Sequence, residues 1–157
     1  MDETSLHAWV TKKKTWQSRY SPIPMPMQSE RGKSMTVIGL IGGEPFDSYF
    51  DYFRKTNRES VIAYLSAFVN THYQGNIEDL IIVTDNHGAH RSYDVQQFVT
   101  RTGFRMLLLP SMSCALSPIE HVWSAVKTMW GKQMSKLKTD YNQESLLNDV
   151  NLIVSLC

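Results

Sequence analysis

Apolar positions along the chain follow two periods, and the change from one to the other divides it. Ser34–Ile41 is rich in β-branched residues and closes on Gly42-Gly43, which predicts a strand. Asp47–Phe53, with Tyr49, Phe50, Tyr52 and Phe53, predicts an antiparallel neighbour, and a shorter strand is expected over His7–Val10. Lys12-Lys13-Lys14 interrupts that short strand as a hairpin tip, and Pro22, Pro24, Pro26 and Gly32 mark residues 21–33 as loop. From Thr56 onward the period lengthens. Thr56-Asn57-Arg58-Glu59 reads as a capping box, and Val61, Ile62, Leu65, Phe68 and Val69 recur at helical spacing. Leu80–Val83 and Met106–Leu109 are continuous apolar runs, each predicting a strand buried on both faces and parallel to a neighbour. Between them, Ser92 starts a helix carrying Val95, Phe98 and Val99 and ended by Gly103.

Ser117-Pro118 opens a long helix, with Ser at the N-cap and Pro in the first turn. Its stripe is Ile119, Val122, Trp123, Val126, Trp130, Met134 and Leu137. A last amphipathic helix is expected over Asn142–Ile153. Three strands in hairpins followed by α, β, α, β, α, α predict an α/β fold, a mixed sheet with helices on its faces.

Composition narrows the function classes. A length of 157 residues suits one domain over 1–157, and 42% hydrophobic residues exclude a disordered chain. The apolar runs are too short to cross a bilayer, so no membrane partner is expected. The chain opens without a charged-then-apolar leader, so the protein is not expected to be secreted. Two cysteines, Cys114 and Cys157, are too few for a disulfide framework. His87 and His90 have no cysteine placed to complete a zinc site. No Walker loop, GxGxxG, GxSxG or CxxC is present, which removes a nucleotide cofactor and the common hydrolase and redox readings. The net charge of +1 conceals a basic stretch, residues 101–138, with six Lys or Arg and a single acid, Glu120.

That isolated acid directs attention to carboxylates at strand ends, where open α/β sheets place their reactive groups. Asp85 follows the first buried run, and Glu120 lies in the first turn of the helix that follows the second. Asp2 joins them if its segment pairs with the central strand. Clustered carboxylates repel one another unless cations intervene, and the hard cation for an all-oxygen site is Mg²⁺, with Mn²⁺ able to replace it. Each acid also has a plainer reading. Glu120 could close a capping box with Ser117, Asp85-Asn86-His87-Gly88 could be a simple turn, and Asp2 is nearly terminal.

Two strings lie at these positions, Thr84-Asp85-Asn86-His87-Gly88-Ala89-His90 and Leu116-Ser117-Pro118-Ile119-Glu120-His121-Val122-Trp123, with 34 residues between Asp85 and Glu120. Together with the opening Met1-Asp2-Glu3-Thr4-Ser5, they resemble the three motifs of the catalytic domain of mariner-type transposases, in the DDE superfamily. The resemblance implies a ribonuclease H-like fold with a five-stranded mixed sheet flanked by helices. It also implies a triad of Asp2, Asp85 and Glu120 holding two Mg²⁺ ions, and metal-dependent DNA strand cleavage and strand transfer without a covalent intermediate. DNA is the implied partner, with a homodimer to bring two ends together. Lys12, Lys13, Lys14, Arg91 and Lys127, with Lys132 and Lys136, are candidate phosphate contacts. His90 and Arg91 follow the second motif closely enough to be expected at DNA.

The chain departs from the family pattern in Ser117, where Asn is usual, and in Cys114-Ala115, where Pro-Asp is common. The family's N-terminal helix-turn-helix DNA-binding domain is not seen, and only Met1 precedes the first Asp, so a truncated first strand is expected. Alternatives are a catalytically inactive, transposon-derived DNA-binding or assembly protein, or another ribonuclease H-like nuclease. A nuclear location is expected for a eukaryotic source, otherwise a cytoplasmic one.

Overall fold

The computed structural model describes residues 1–7, 34–43, 48–113 and 116–136, with side chains as far as residue 132 in the last segment. Its elements are β1 (Asp2–His7), β2 (Ser34–Ile41), β3 (Ser48–Phe53), α1 (Arg58–Ala67), β4 (Ile81–Thr84), α2 (Tyr93–Thr102), β5 (Arg105–Leu108) and α3 (Ile119–Lys136). The helix expected over Asn142–Ile153 and the hairpin tip at Lys12–Lys14 lie outside the described residues.

β2 lies between β1 and β3 in an antiparallel sheet, with Asp2 opposite Gly39 and Ile38 opposite Asp51. A strand with neighbours on both edges and helices over both faces must be apolar throughout, and six consecutive residues of β2, Met35–Leu40, are buried. β4 and β5 pair in parallel, as their apolar runs predict. Among the described residues five strands are present, in a three-stranded and a two-stranded sheet, so the single five-stranded sheet implied by the resemblance is not seen as one continuous ladder. One backbone bond among the described residues joins the two sheets: the Met1 amine donates to the Val83 carbonyl at 2.6 Å.

The first described strand is Asp2–His7; of the strand expected over His7–Val10, all but His7 lies outside the described residues. Its sequence has one large apolar residue, Leu6, so local hydrophobicity does not announce it; the ladder with β2 specifies it. α1 is capped by Asn57 and not by Thr56. The Asn57 side chain accepts from the Ser60 amide, and Ser60 Oγ accepts from the Asn57 amide, both at 2.9 Å. A π-helical turn, Phe68–His72, continues α1. Ser92 stands at the N-cap of α2, but its hydroxyl makes no capping bond; Gly103 ends the helix in the left-handed region, at φ 96°.

The sheet faces separate two cores. Ile38, Leu40 and Ile82 pack with Val61, Tyr64, Leu65 and Phe68 of α1 and its extension, and with Val95 and Val99 of α2. On the other face, Leu6, Met35 and Val37 pack against Ile119, Trp123, Val126 and Trp130, the predicted stripe of α3. β4 and β5 are not buried on both faces: Ile81, Val83 and Leu107 are 48%, 40% and 55% exposed. The opposite face of β4 is the covered one, carrying Ile82 and Thr84. Among the described residues, no helix is long and apolar enough to cross a membrane.

Candidate active site

Strand alternation sends neighbours to opposite faces. In β1, Asp2 shares a face with Thr4 and Leu6, turned toward α3, whereas Glu3 turns toward α2. Asp2 Oδ2 accepts the Trp123 indole N–H at 2.9 Å. Trp123 can approach so closely because its ring lies over Gly39, the residue opposite Asp2; a Cβ there would stand 2.6 Å from both Trp123 and Phe50. Burial raises the Asp2 pKa, opposed by hydrogen bonds from the Glu3 backbone and Trp123, while the charges of Glu3 and Asp85 raise it further.

Asp85 follows β4 directly. Its Oδ1 accepts from the His87 amide at 3.1 Å, closing an Asx turn, and faces His90 Nδ1 at 2.8 Å. The next parallel strand leads through residues 109–118 to α3, whose first turn presents Glu120 exposed to solvent. A carboxylate at a helix N-terminus is favoured by the unpaired amides and the helix dipole. Asn86 Nδ2 donates to Ser111 Oγ at 3.1 Å, tying the loops after the two strands together. Met112, fully exposed, turns the second loop in the left-handed region at φ 63°.

These elements enclose an open cleft of about 360 Å³, lined by Asp2, Asp85 and Glu120 together with Asn86, His87 and residues of both loops. All three sequence-predicted carboxylates thus line one cavity. Among the described residues, no Lys or Arg lines it. Three acids from three elements offer oxygen donors of the kind a hard cation takes.

The candidate DNA contacts fare differently. Arg91 and Lys127 are exposed, and Lys127 lies two helical turns beyond Glu120 on the same side of α3. Lys132 is also exposed, while the Lys136 side chain and Lys12, Lys13 and Lys14 lie outside the described residues. His90, expected at DNA, is not on the surface: it is 0% exposed. Its Nε2 faces Glu3 Oε1 at 2.6 Å, and its Nδ1 faces Asp85 Oδ1 and Thr84 Oγ1. Both ring nitrogens are therefore occupied beneath the cleft floor, out of reach of a phosphate. Burial pulls the His90 pKa down, but the Glu3 hydrogen bond and the Glu3 and Asp85 charges outweigh it, so the pKa stands above its ordinary value.

Among the described residues, the group whose ligand atoms lie within 4.8 Å of one another is Glu3, Asp85 and His90; Asp2, Asp85 and Glu120 share the cleft lining without forming such a group. Sequence reading passed over Glu3 and took Trp123 for core alone. The signal for Glu3 was period two: a strand that gives Asp2 to one face gives Glu3 to the other.

A family profile described as DDE superfamily endonuclease matches residues 1–140. No curated protein sequence matches the chain. Among solved structures, a pre-cleavage Mos1 transpososome superposes with a TM-score of 0.69 at 16% identity, over 98% of this chain and 47% of that one. The Mos1 strand transfer complex gives 0.67 at 17% identity, over 98% and 45%. The Mos1 transposase catalytic domain, solved with raltegravir and Mn, gives 0.58 at 16% identity, over 78% and 64%. The chain thus spans a little under half the length of the first two. At these identities the likeness is one of fold, and that fold is the α/β, ribonuclease H-like one expected from the motifs.

Proposed function

The chain belongs to the DDE superfamily of endonucleases, and from that premise we propose that it is the catalytic core of a mariner-type DNA transposase, cutting DNA strands and transferring the freed ends. The observation that carries this reading is the common cleft of Asp2, Asp85 and Glu120. The Mos1 catalytic domain solved with Mn supports a divalent cation as cofactor; we assign two Mg²⁺ ions, replaceable by Mn²⁺, to the three carboxylates. When bound, such ions activate an attacking oxygen and stabilise the departing one in phosphodiester displacement.

The chain's own residues do the positioning. Asp85 is fixed through Oδ1, and Oδ2, with no bond among the described residues, is available to a cation. Asp2 is fixed by Trp123, and Glu120 by its place in the first turn of a helix anchored through buried Ile119 and Trp123. Arg91 and Lys127 supply cationic contacts for the DNA backbone beside the acids. Two copies acting together suit a reaction on two DNA ends.

Nicking of supercoiled plasmid in Mg²⁺ or Mn²⁺ tests the reading. Asp85→Asn and Glu120→Gln are each expected to lower the rate by about a hundredfold or more, equivalent to roughly 2.7 kcal/mol, with near-UV circular dichroism unchanged. Cleavage confined to the RNA strand of an RNA–DNA hybrid would instead make the chain a hybrid nuclease.

A further inference from the structure

Asp2 lies in one sheet and Asp85 directly follows a strand of the other, and among the described residues a single backbone bond, Met1 to Val83, spans the seam between them. Carboxylates sharing an ion need a separation fixed to a fraction of an ångström. The Met1–Val83 bond and the shared packing of Met1, Ile38 and Ile82 set β1 against β4 at the level of the backbone and the core.

The side chains beneath the cleft form a second connection. Glu3, adjacent to Asp2 but on the opposite face of β1, reaches His90 Nε2 at 2.6 Å, and His90 Nδ1 reaches Asp85 Oδ1 at 2.8 Å. The chain of contacts runs from one predicted ligand's neighbour, through an imidazole, to the other predicted ligand. It is also shielded: His90 is completely buried and the Glu3 side chain is 11% exposed. The imidazole is held in turn, with Thr84 Oγ1 3.0 Å from Nδ1 and the Gln96 side-chain amide donating to the His90 carbonyl at 3.0 Å. Such a bridge fixes both the rotation of the Asp85 carboxylate and the height of β1 against β4.

We propose that Glu3 and His90 are positioning residues, a buried strut that sets Asp2 against Asp85 and so prepares the cleft for a divalent cation. The proposal rests on the metal-site reading above. The same three groups could instead be ligands themselves, but one ion takes the lone pair of one imidazole nitrogen, and the two carboxylates face different nitrogens. The geometry suits a hydrogen-bonded bridge better than a chelate. Outer carboxylate–histidine contacts of this kind orient metal ligands, and their loss costs about 10–100-fold in metal affinity.

The test is Mn²⁺ titration calorimetry on the 157-residue chain, with urea unfolding to verify folding. Glu3→Ala is expected to fold and to bind Mn²⁺ about tenfold or more weakly. Glu3→Gln, which keeps an oxygen for the His90 N–H, is expected to return to within roughly threefold of wild type. Should Glu3→Ala fail to fold, Glu3→Asp withdraws the carboxylate by one methylene and is expected to weaken binding in the same direction. Unaltered Mn²⁺ affinity in Glu3→Ala, or in Glu3→Asp where Glu3→Ala does not fold, overturns the strut alone. Binding that survives Asp2→Asn and Glu120→Gln but is lost in His90→Gln places the ion on Glu3, Asp85 and His90, and also overturns it. Wild-type protein that binds no Mn²⁺ overturns the metal reading of the cleft, and the strut with it.

Discussion

A ring on a glycine positions the first carboxylate of the cleft. Gly39 is required by close approach, since the space a Cβ would occupy is already filled by Trp123 and Phe50 at 2.6 Å. Gly39→Ala is therefore expected to destabilise the protein by about 1–3 kcal/mol in urea unfolding, the usual cost of overpacking a rigid core. Trp123→Phe vacates part of that space but removes the N–H donor of a partly buried carboxylate, at a cost of about 1–3 kcal/mol. The double variant should cost less than the sum of the two, because the smaller ring gives the new methyl room. Strict additivity would show that Trp123 does not rest on Gly39. None of this could be read from sequence, where Gly39 is an unremarkable residue inside an apolar run and Trp123 one member of a helical stripe. The proximity depends on a helix 84 residues further along the chain.

Elements with local signals were legible, and those specified by partners were not. The α3 stripe was predicted because Ile119, Trp123, Val126 and Trp130 repeat at the helical period, and all four are buried. Asp85 and Glu120 were identified because each stands at the boundary of such a periodic segment. β1 escaped because Asp-Glu-Thr-Ser is a polar string, made a strand by six register partners in β2. The buried role of His90 escaped with it, since its partner Glu3 lies 87 positions away. Contacts between elements also produce a pH response. Tyr64 of α1 is fully buried, donates to the Tyr49 carbonyl at 2.7 Å, and stacks on the Tyr49 ring, binding helix to sheet. Burial, with smaller contributions from Tyr49, Asp51 and Glu3, holds its pKa well above the ordinary 10.0. A raised folded pKa means that this stability is fully present below 10.0 and is lost as pH rises from there toward the folded value. Tyr64→Phe should lower stability at neutral pH by about 1 kcal/mol, through the lost hydrogen bond. It should also flatten the decline in urea midpoint above pH 10.0; an equally steep decline in the variant would assign the alkaline sensitivity elsewhere.

At the scale of the whole molecule, the distribution of charge matters more than its total. Three acids line the cleft, while Arg91 and Lys127 are exposed outside it. A polyanion brought to this surface meets repulsion at the centre and attraction at the edge, so cation binding in the cleft and backbone contacts beside it should act together. The two contributions separate by their response to salt. Each lysine or arginine on a phosphate releases about one counterion, so its removal lowers the slope of log affinity against log salt by roughly one. Arg91→Ala and Lys127→Ala are each expected to weaken binding of a labelled DNA duplex to a similar degree whatever its sequence. In fluorescence anisotropy across a KCl series, each should also flatten the slope by about one. Asp85→Asn, by contrast, should leave that slope unchanged and alter only the dependence on Mg²⁺ or Mn²⁺. If Lys127→Ala left the salt slope intact, the basic face of α3 would be a solvated surface, and the duplex path would have to lie elsewhere around the acids.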